Sequence, residues 1–237
     1  MQKEISLVIP AYNEVDRIKS TINEAIDYFK KKSLSYEIIV AADGNDGTRE
    51  TVQKMMETNP NIMVLGSEKR SGKGRGIREA VYLATGEIIG FTDADNKTSI
   101  SELDNFLPFF NQGYDLVIGS RASDKSVIEN PQPIYRRIGS KVFKYIMQVI
   151  TGLYGIQDTQ CGFKFFTNES AKTIFHDQQI DGYMIDVEVL MQAKQRNYKI
   201  AQVPIHWRDD GDSRLNLIAG NLQNMKDLFR IRFMKKK

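Results

Sequence analysis

Glu87-Ile88-Ile89-Gly90-Phe91-Thr92-Asp93-Ala94-Asp95 runs from an apolar segment straight into two carboxylates one residue apart. The apolar part has the length and composition of a buried strand. A helix is predicted just before it, over Ile77 to Thr85, with Gly86 as its C-terminal glycine. Helix, strand and polar strand end in that order form the unit of a parallel α/β sheet, whose ligands gather at the carboxyl ends of the strands.

The same grammar extends toward the N-terminus. Ile5 to Ile9 reads as a strand stopped by Pro10, and Ile18, Ile22, Ala25, Ile26 and Phe29 share one face of a helix. Tyr36 to Ala41 is a second strand ending at Asp43-Gly44, Arg49 to Met56 a helix, and Ile62 to Leu65 a third strand. The expectation is a single α/β domain with a mostly parallel central sheet and helices on both faces. Three polar clusters, at 10–14, 43–48 and 93–98, should then converge on one crevice.

The later chain is less regular. Asp115 to Gly119 reads as a strand ending in Ser120-Arg121, and Arg136 to Tyr154 as a helix. Phe163 to Phe166 is extended, Ile185 to Gln195 helical, and Lys199 to Trp207 a strand interrupted by Pro204. Leu215 to Met234 closes the chain as a helix. Its stripe of Leu215, Ile218, Leu222, Met225, Phe229 and Phe233 fits packing on the domain for the first half. An interfacial role fits its basic end.

Composition bounds the function. The 237 residues are 41% hydrophobic and 27% charged, enough for one sizeable core. A net charge of +3 does not by itself imply a nucleic-acid partner. The single cysteine, Cys161, cannot form an intrachain disulfide and fits a reducing compartment. The N-terminus enters a strand at once, leaving no room for a signal peptide. No apolar run approaches the ~18 residues of a membrane span.

Several motifs invite chemistry, each beside a plainer reading. Asp93 and Asp95 can aim oxygens at one hard cation, Mg²⁺ or Mn²⁺, which takes a few carboxylates plus substrate phosphates. The alternative is a solvated turn capping the next helix. Asp43-Gly44-Asn45-Asp46-Gly47-Thr48 is turn chemistry whose Asp43 could accept a donor from a base or ribose. Gly72-Lys73-Gly74-Arg75-Gly76 suggests a basic phosphate loop before a helix. It has neither P-loop nor dinucleotide spacing, and a solvated cap explains it equally. Arg136 and Ser140 share a predicted helix face and could hold one phosphate. His176, His206 and Cys161 have no metal-ligand spacing.

Taken together, Ile9-Pro-Ala-Tyr-Asn-Glu14, the turn at Asp43, Gly72-Lys-Gly74, Thr92-Asp-Ala-Asp-Asn-Lys-Thr98, Gly119-Ser-Arg-Ala122, Asp158-Thr-Gln-Cys-Gly-Phe-Lys-Phe-Phe166 and Gly211-Asp-Ser-Arg-Leu215 resemble family 2 glycosyltransferases of the GT-A, Rossmann-like fold. The pattern is most similar to their polyprenyl-phosphate branch, and the Asp158 segment to its dolichyl-phosphate glucosyltransferases. The resemblance implies an inverting transfer of a hexose from a nucleoside-diphosphate sugar, UDP-glucose first, to a polyprenyl or dolichyl monophosphate. It implies Pro10, Tyr12, Glu14, Asp43, Lys73 and Asp93 around the donor, and Asp93 and Asp95 on Mg²⁺ or Mn²⁺. Arg121, Arg136, Ser140, Arg208 and Arg214 would receive the lipid phosphate. Asp93, Asp95 and Arg121 would carry the chemistry. Residues 1–98 would form the donor half, 99–214 the acceptor half and 215–237 an amphipathic C-terminal helix. The chain would act as a peripheral protein on the cytoplasmic face of a membrane.

Departures sharpen the alternatives. The usual D-D-G-S-x-D segment is here Ala42-Asp43-Gly44-Asn45-Asp46, and Lys97 stands where mannose synthases offer a third polar metal contact. Arg208 before the Gly211 loop is closer to the mannose synthases, which keeps GDP-mannose open as donor. A hydroxyl acceptor would need a carboxylate base, for which Asp158, Asp186 and Glu188 are candidates. A nucleotide-sugar-binding module without turnover is the rival of another class.

Overall fold

A computed structural model describes residues 3–122, 126–129, 145–208 and 217–234. The strands are β1 (Ile5–Tyr12), β2 (Tyr36–Asp43), β3 (Ile62–Leu65), β4 (Ile88–Phe91), β5 (Leu116–Ser120), β6 (Val127–Glu129), β7 (Lys164–Thr167), β8 (Ile200–Pro204) and β9 (His206–Arg208). Seven of them form one sheet in the order β3-β2-β1-β4-β7-β5-β8, while β6 and β9 pair separately. All neighbours in the main sheet are parallel except β7, which runs antiparallel between β4 and β5. The expected sheet is therefore present.

Strand periodicity divides the core in two. Ile5, Leu7 and Ile9 of β1 and Ile38 and Val40 of β2 face one side, and Val8 and Ile39 face the other. The first face is covered by α1 (Val15–Lys31), α2 (Thr48–Met56), a 3-10 turn (Ile100–Asn105) and α4 (Leu107–Asn111). The second is covered by α3 (Lys73–Leu83), α5 (the helical residues 145–151), α6 (Asn168–Asp177), α7 (Ile185–Gln195) and α8 (Leu217–Phe233). Each fully buried Ile, Leu or Phe contributes roughly 1.5–3 kcal/mol, so the sheet is held from both faces.

Pro10 does not stop β1, which continues to Tyr12. Thr92 N–H bonds Val8 O, and Asn13 N–H bonds Asp43 O, so even-numbered residues turn their amides toward β4. β4 pairs only as far as Val8. The donor that Pro10 lacks has no ladder partner waiting. Gly86 is likewise not a left-handed cap. α3 ends at Leu83, and a Cβ on Gly86 would lie 2.6 Å from Ser6 N, so close strand packing selects the glycine.

The C-terminal stripe also needs correction. Leu228 and Ile231 point into the core, whereas Phe229 and Phe233 point outward. Leu215 and the side chains of Ile218 and Leu222 lie outside the described set, as do residues 136–144 of the helix predicted from Arg136.

Candidate functional site

β2, β1 and β4 are adjacent and parallel, so their carboxyl ends meet, as the three polar clusters required. After β4 the chain turns through Asp93 to Ser99. Thr21 of α1 donates to Ala94 O at 2.8 Å, and Glu24 accepts from Asn96 and from Ser99. Asn96, at φ 53°, takes a left-handed conformation that asparagine tolerates. α1 thus fastens the turn that carries both carboxylates.

Asp93 leans over Gly162, where an added Cβ would lie 1.9 Å from Asp93 Oδ2. Only a glycine leaves the carboxylate that space. Its Oδ1 receives the Lys73 ammonium at 2.9 Å. Burial, and then the charge of Asp93, push the Asp95 carboxyl above the ordinary carboxylate value, against Lys97. A divalent cation would relieve that repulsion. Among the described residues no three His, Cys, Asp or Glu side chains gather for a metal. The donor set is therefore two carboxylates, leaving other positions to diphosphate oxygens and water. That suits Mg²⁺ or Mn²⁺, which bind through one or two carboxylates and substrate phosphates. Lys97 is no third ligand: its ammonium stands 3.7 Å from Asp95 and 5.7 Å from the Trp207 ring centre.

The glycine-rich loop is not a free phosphate flap. Gly74 N–H bonds Asp181 O at 2.8 Å, and Cβ atoms on Gly72 or Gly74 would strike the carbonyls of Asp181 or Ile180. The two glycines let the start of α3 press against the 180–181 segment. Lys73, in the first turn of α3, is thereby aimed inward between Asp93 and Asp186, the latter at 3.3 Å. Burial opposes its charge, but Asp186 and then Asp93 outweigh that and hold it protonated.

Asp186 is shared. Lys164, fully buried in β7, approaches its Oδ1 at 2.5 Å and also donates to Cys161 O. Burial works against the Asp186 anion, yet Lys164 and Lys73 hold its carboxyl below the usual range. A third ion pair lies beside them: Arg121 binds Asp158 through Nε at 2.7 Å, Nη2 at 3.0 Å and its backbone N–H at 3.0 Å. Burial again opposes both charges and mutual attraction prevails, lowering Asp158 and raising Arg121. The Arg121 guanidinium lies 5.2 Å from the Trp207 ring centre, within cation–π range. Arg208 donates to Asn96 O at 3.1 Å, so β9 joins the Asp93 turn to the end of β5. Burial pushes the Cys161 thiol up to about 11, leaving it inert as a nucleophile.

The ends of β1 and β2 lie beside this cluster and are held by contacts of their own. Asp43 accepts from Ser67 N and Ser71 N, so it orders the loop that leads to Lys73. Tyr12 ends β1, with the Arg70 guanidinium 4.4 Å from its ring centre. Arg70 also donates to the Tyr183 hydroxyl at 3.0 Å. Glu14 precedes α1, its N–H bonded to Thr48, and Asp46 caps both α1 and α2 through Val15 N and Thr48 N. Pro10 lies within β1, half-buried. Arg136, Ser140 and Arg214 fall outside the described residues.

Sequence reasoning gave no structural role to Lys164, Trp207 or Gly162, and considered Asp158 and Asp186 only as bases. A lysine in Phe163-Lys-Phe-Phe166 and two acids in Ile185-Asp-Val-Glu-Val-Leu-Met191 are signals of paired buried charge.

Comparison with known proteins agrees with this geometry. The profile described as glycosyl transferase family 2 matches residues 6–175. A dolichyl-phosphate beta-glucosyltransferase of Trichomonas vaginalis is 34% identical over 96% of this chain and 72% of its own length. The protein of that name from Homo sapiens is 31% identical over 97% of this chain and 75% of its own. Among solved structures, glucosyl-3-phosphoglycerate synthase from Mycobacterium tuberculosis with Mn²⁺, UDP and phosphoglyceric acid matches with a TM-score of 0.72. It is 20% identical, and the match covers 99% of this chain and 80% of that one, a likeness of fold. A β4 end carrying two carboxylates on a GT-A sheet, with relatives above 30% identity along nearly the whole chain, makes this protein a glycosyltransferase of family 2.

Proposed function

We propose that the chain transfers glucose from UDP-glucose to a polyprenyl monophosphate of the dolichyl type, inverting the anomeric centre. The observation that carries this reading is that every carboxylate considered as a base is already committed. Asp158 is clasped by Arg121, and Asp186 by Lys164 and Lys73. Glu188 is fully buried and accepts from Gln179 N at 2.7 Å and Ile180 N at 2.8 Å. The carboxyls of Asp158 and Asp186 are held low, whereas a base works best with a pKa near the operating pH; burial raises that of Glu188, but this side chain has no surface open to an acceptor. A phosphate acceptor needs no base, since its second pKa lies near ~6.

In this reading Asp93 and Asp95 hold Mg²⁺ or Mn²⁺, which supplies positive charge to the leaving diphosphate. Lys73 presents a second cation to the same diphosphate, and its two carboxylate contacts fix its direction. Tyr12 and Asp43 flank the nucleotide, with Pro10 and Glu14 shaping the floor. Arg121, pre-oriented by Asp158 and Trp207, receives the acceptor phosphate with Arg208, Arg136, Ser140 and Arg214. Relatives named dolichyl-phosphate beta-glucosyltransferase support glucose as the sugar and dolichyl phosphate as the acceptor. The Mn²⁺ and UDP in the synthase of like fold support the metal. In this reading the enzyme works at a membrane surface, where its lipid acceptor lies, and we assign it the cytoplasmic face.

A GDP-mannose donor is the second reading, favoured by Arg208 beside the Asp93 turn. The test offers labelled UDP-glucose and GDP-mannose with Mg²⁺ to dolichyl phosphate, undecaprenyl phosphate and a simple sugar. Glucosyl transfer to the phosphates alone is expected. Mannosyl transfer would reverse the donor assignment, and transfer to the sugar hydroxyl would overturn the acceptor.

A further inference from the structure

Two helices that cover the same face of the main sheet present apolar side chains to solvent. In α8 the inward residues are Asp227, Leu228 and Ile231, while Phe229 is 52% and Phe233 78% exposed. At about 100° per residue, Phe229 and Phe233 lie roughly 40° apart at the middle of the outward arc. Arg232 lies about 60° to one side, with Lys226 and Arg230 about 20° and 60° beyond Phe233 on the other. All three cations are exposed. Aromatic rings at the centre of an arc with cations along both borders form the cross-section of a helix that lies in a lipid headgroup layer.

The second helix repeats the pattern. In α5, Met147 and Thr151 are buried, while Tyr145, Val149 and Ile146 fall within an outward arc of about 100°. Tyr145 is 69% exposed and Tyr154, just beyond the helix, 65%. Tyrosine suits such a boundary, with an apolar ring and a hydroxyl that stays wet. Both helices pack on the same face of the main sheet: Met147, Leu153, Leu228 and Ile231 enter the same core as α7. α7 also ties the end of α5 through Lys194, which donates to Gly152 O at 2.5 Å. Among the described residues no helix is long and apolar enough to cross a membrane.

We propose that the outward faces of α5 and α8 together dock the protein on an anionic bilayer, with Phe229, Phe233, Tyr145 and Val149 entering the headgroup layer and Lys226, Arg230 and Arg232 meeting lipid phosphates. The choice of a bilayer over a protein partner rests on charge: lone phenylalanines bordered by cations match an anionic, laterally fluid surface. The inference deepens the acceptor reading, because a polyprenyl chain reaches the site from a bilayer.

The test is flotation with vesicles of phosphatidylcholine, with and without phosphatidylglycerol. Wild-type protein should float with the anionic vesicles and be released by high salt. Phe229→Ser/Phe233→Ser should weaken binding by about tenfold or more, and Tyr145→Ser/Val149→Ser should also weaken it. Arg230→Glu/Arg232→Glu should abolish the preference for phosphatidylglycerol. All these residues are exposed, so circular dichroism should match wild type. Glucosyl transfer to a short-chain, water-soluble polyprenyl phosphate should be unchanged in every variant. Wild-type protein that fails to float, or serine variants that float equally well, would overturn the docking face. So would variants that only convert a dimer to a monomer, which would assign the face to a second copy of the chain. Flotation without transfer to any polyprenyl phosphate would leave the docking face standing and remove the acceptor reading instead.

Discussion

The turns after β1 and β2 and the cluster built on β5, β7 and α7 are both polar, yet they are assembled on different principles. In the first, side chains bond nearby backbone: Asp46 caps two helix starts, and Asp43 gathers the amides of Ser67 and Ser71. In the second, buried side chains pair with one another: Arg121 with Asp158, Lys164 and Lys73 with Asp186. A capping contact that is lost is replaced by water at a small cost. A buried ion that loses its partner has no water to turn to. The two regions should therefore respond very differently to single substitutions.

The largest effect should come where the regions meet. Asp95→Asn should lower glucosyl transfer by about a thousandfold, since a bound cation provides several kcal/mol of charge stabilisation. Mn²⁺ titration followed by electron paramagnetic resonance should show weakened binding with the fold intact. Full activity in this variant, or in wild type with excess EDTA, would remove the metal.

Next comes the buried pair. Asp186→Ala leaves Lys164 without its carboxylate in a site closed to water, and should destabilise the fold by about 3–5 kcal/mol in urea unfolding. The sign with pH follows from the depressed carboxyl of Asp186. Its stabilisation is complete above the ordinary value of 3.8 and is lost as pH falls below that, through the folded value. The variant should lack this acid-sensitive part. Equal stability of variant and wild type at neutral pH would make the two regions alike.

Asp158→Asn is intermediate because Arg121 keeps partial access to solvent. The loss of one charge-assisted partner should lower kcat/KM for the acceptor by about tenfold to a hundredfold. UDP affinity should hardly change. Trp207 is the sole tryptophan and lies beside Arg121, so its fluorescence reports the disturbance directly. An equal loss of UDP affinity would assign Arg121 to the donor side.

The smallest change is expected in the turn region. Asp46→Ala removes caps from α1 and α2 and should lower stability by about 1 kcal/mol, with activity close to wild type. A loss as large as that of Asp186→Ala would erase the contrast.

The sequence alone determined the alternation of strands and helices, because burial on both sheet faces writes continuous apolar runs and helix stripes into local order. It also determined the convergence of 10–14, 43–48 and 93–98, since adjacent parallel strands bring their carboxyl ends together whatever else the chain does. The role of Pro10 was decided by where β4 stops pairing, which no local pattern reveals. Tertiary structure alone decided which charges would be partners. Lys73 meets Asp186 across 113 residues, and Arg121 meets Asp158 across 37. It also decided which face of the last helix is dry: Phe229 and Leu228 are equally apolar neighbours, and only contact with the core around α7 turns Leu228 inward. The physical reason is common to these cases. Periodicity records that a residue is apolar or charged, while the free energy of burying it depends on what stands opposite, and that is fixed only when distant segments pack.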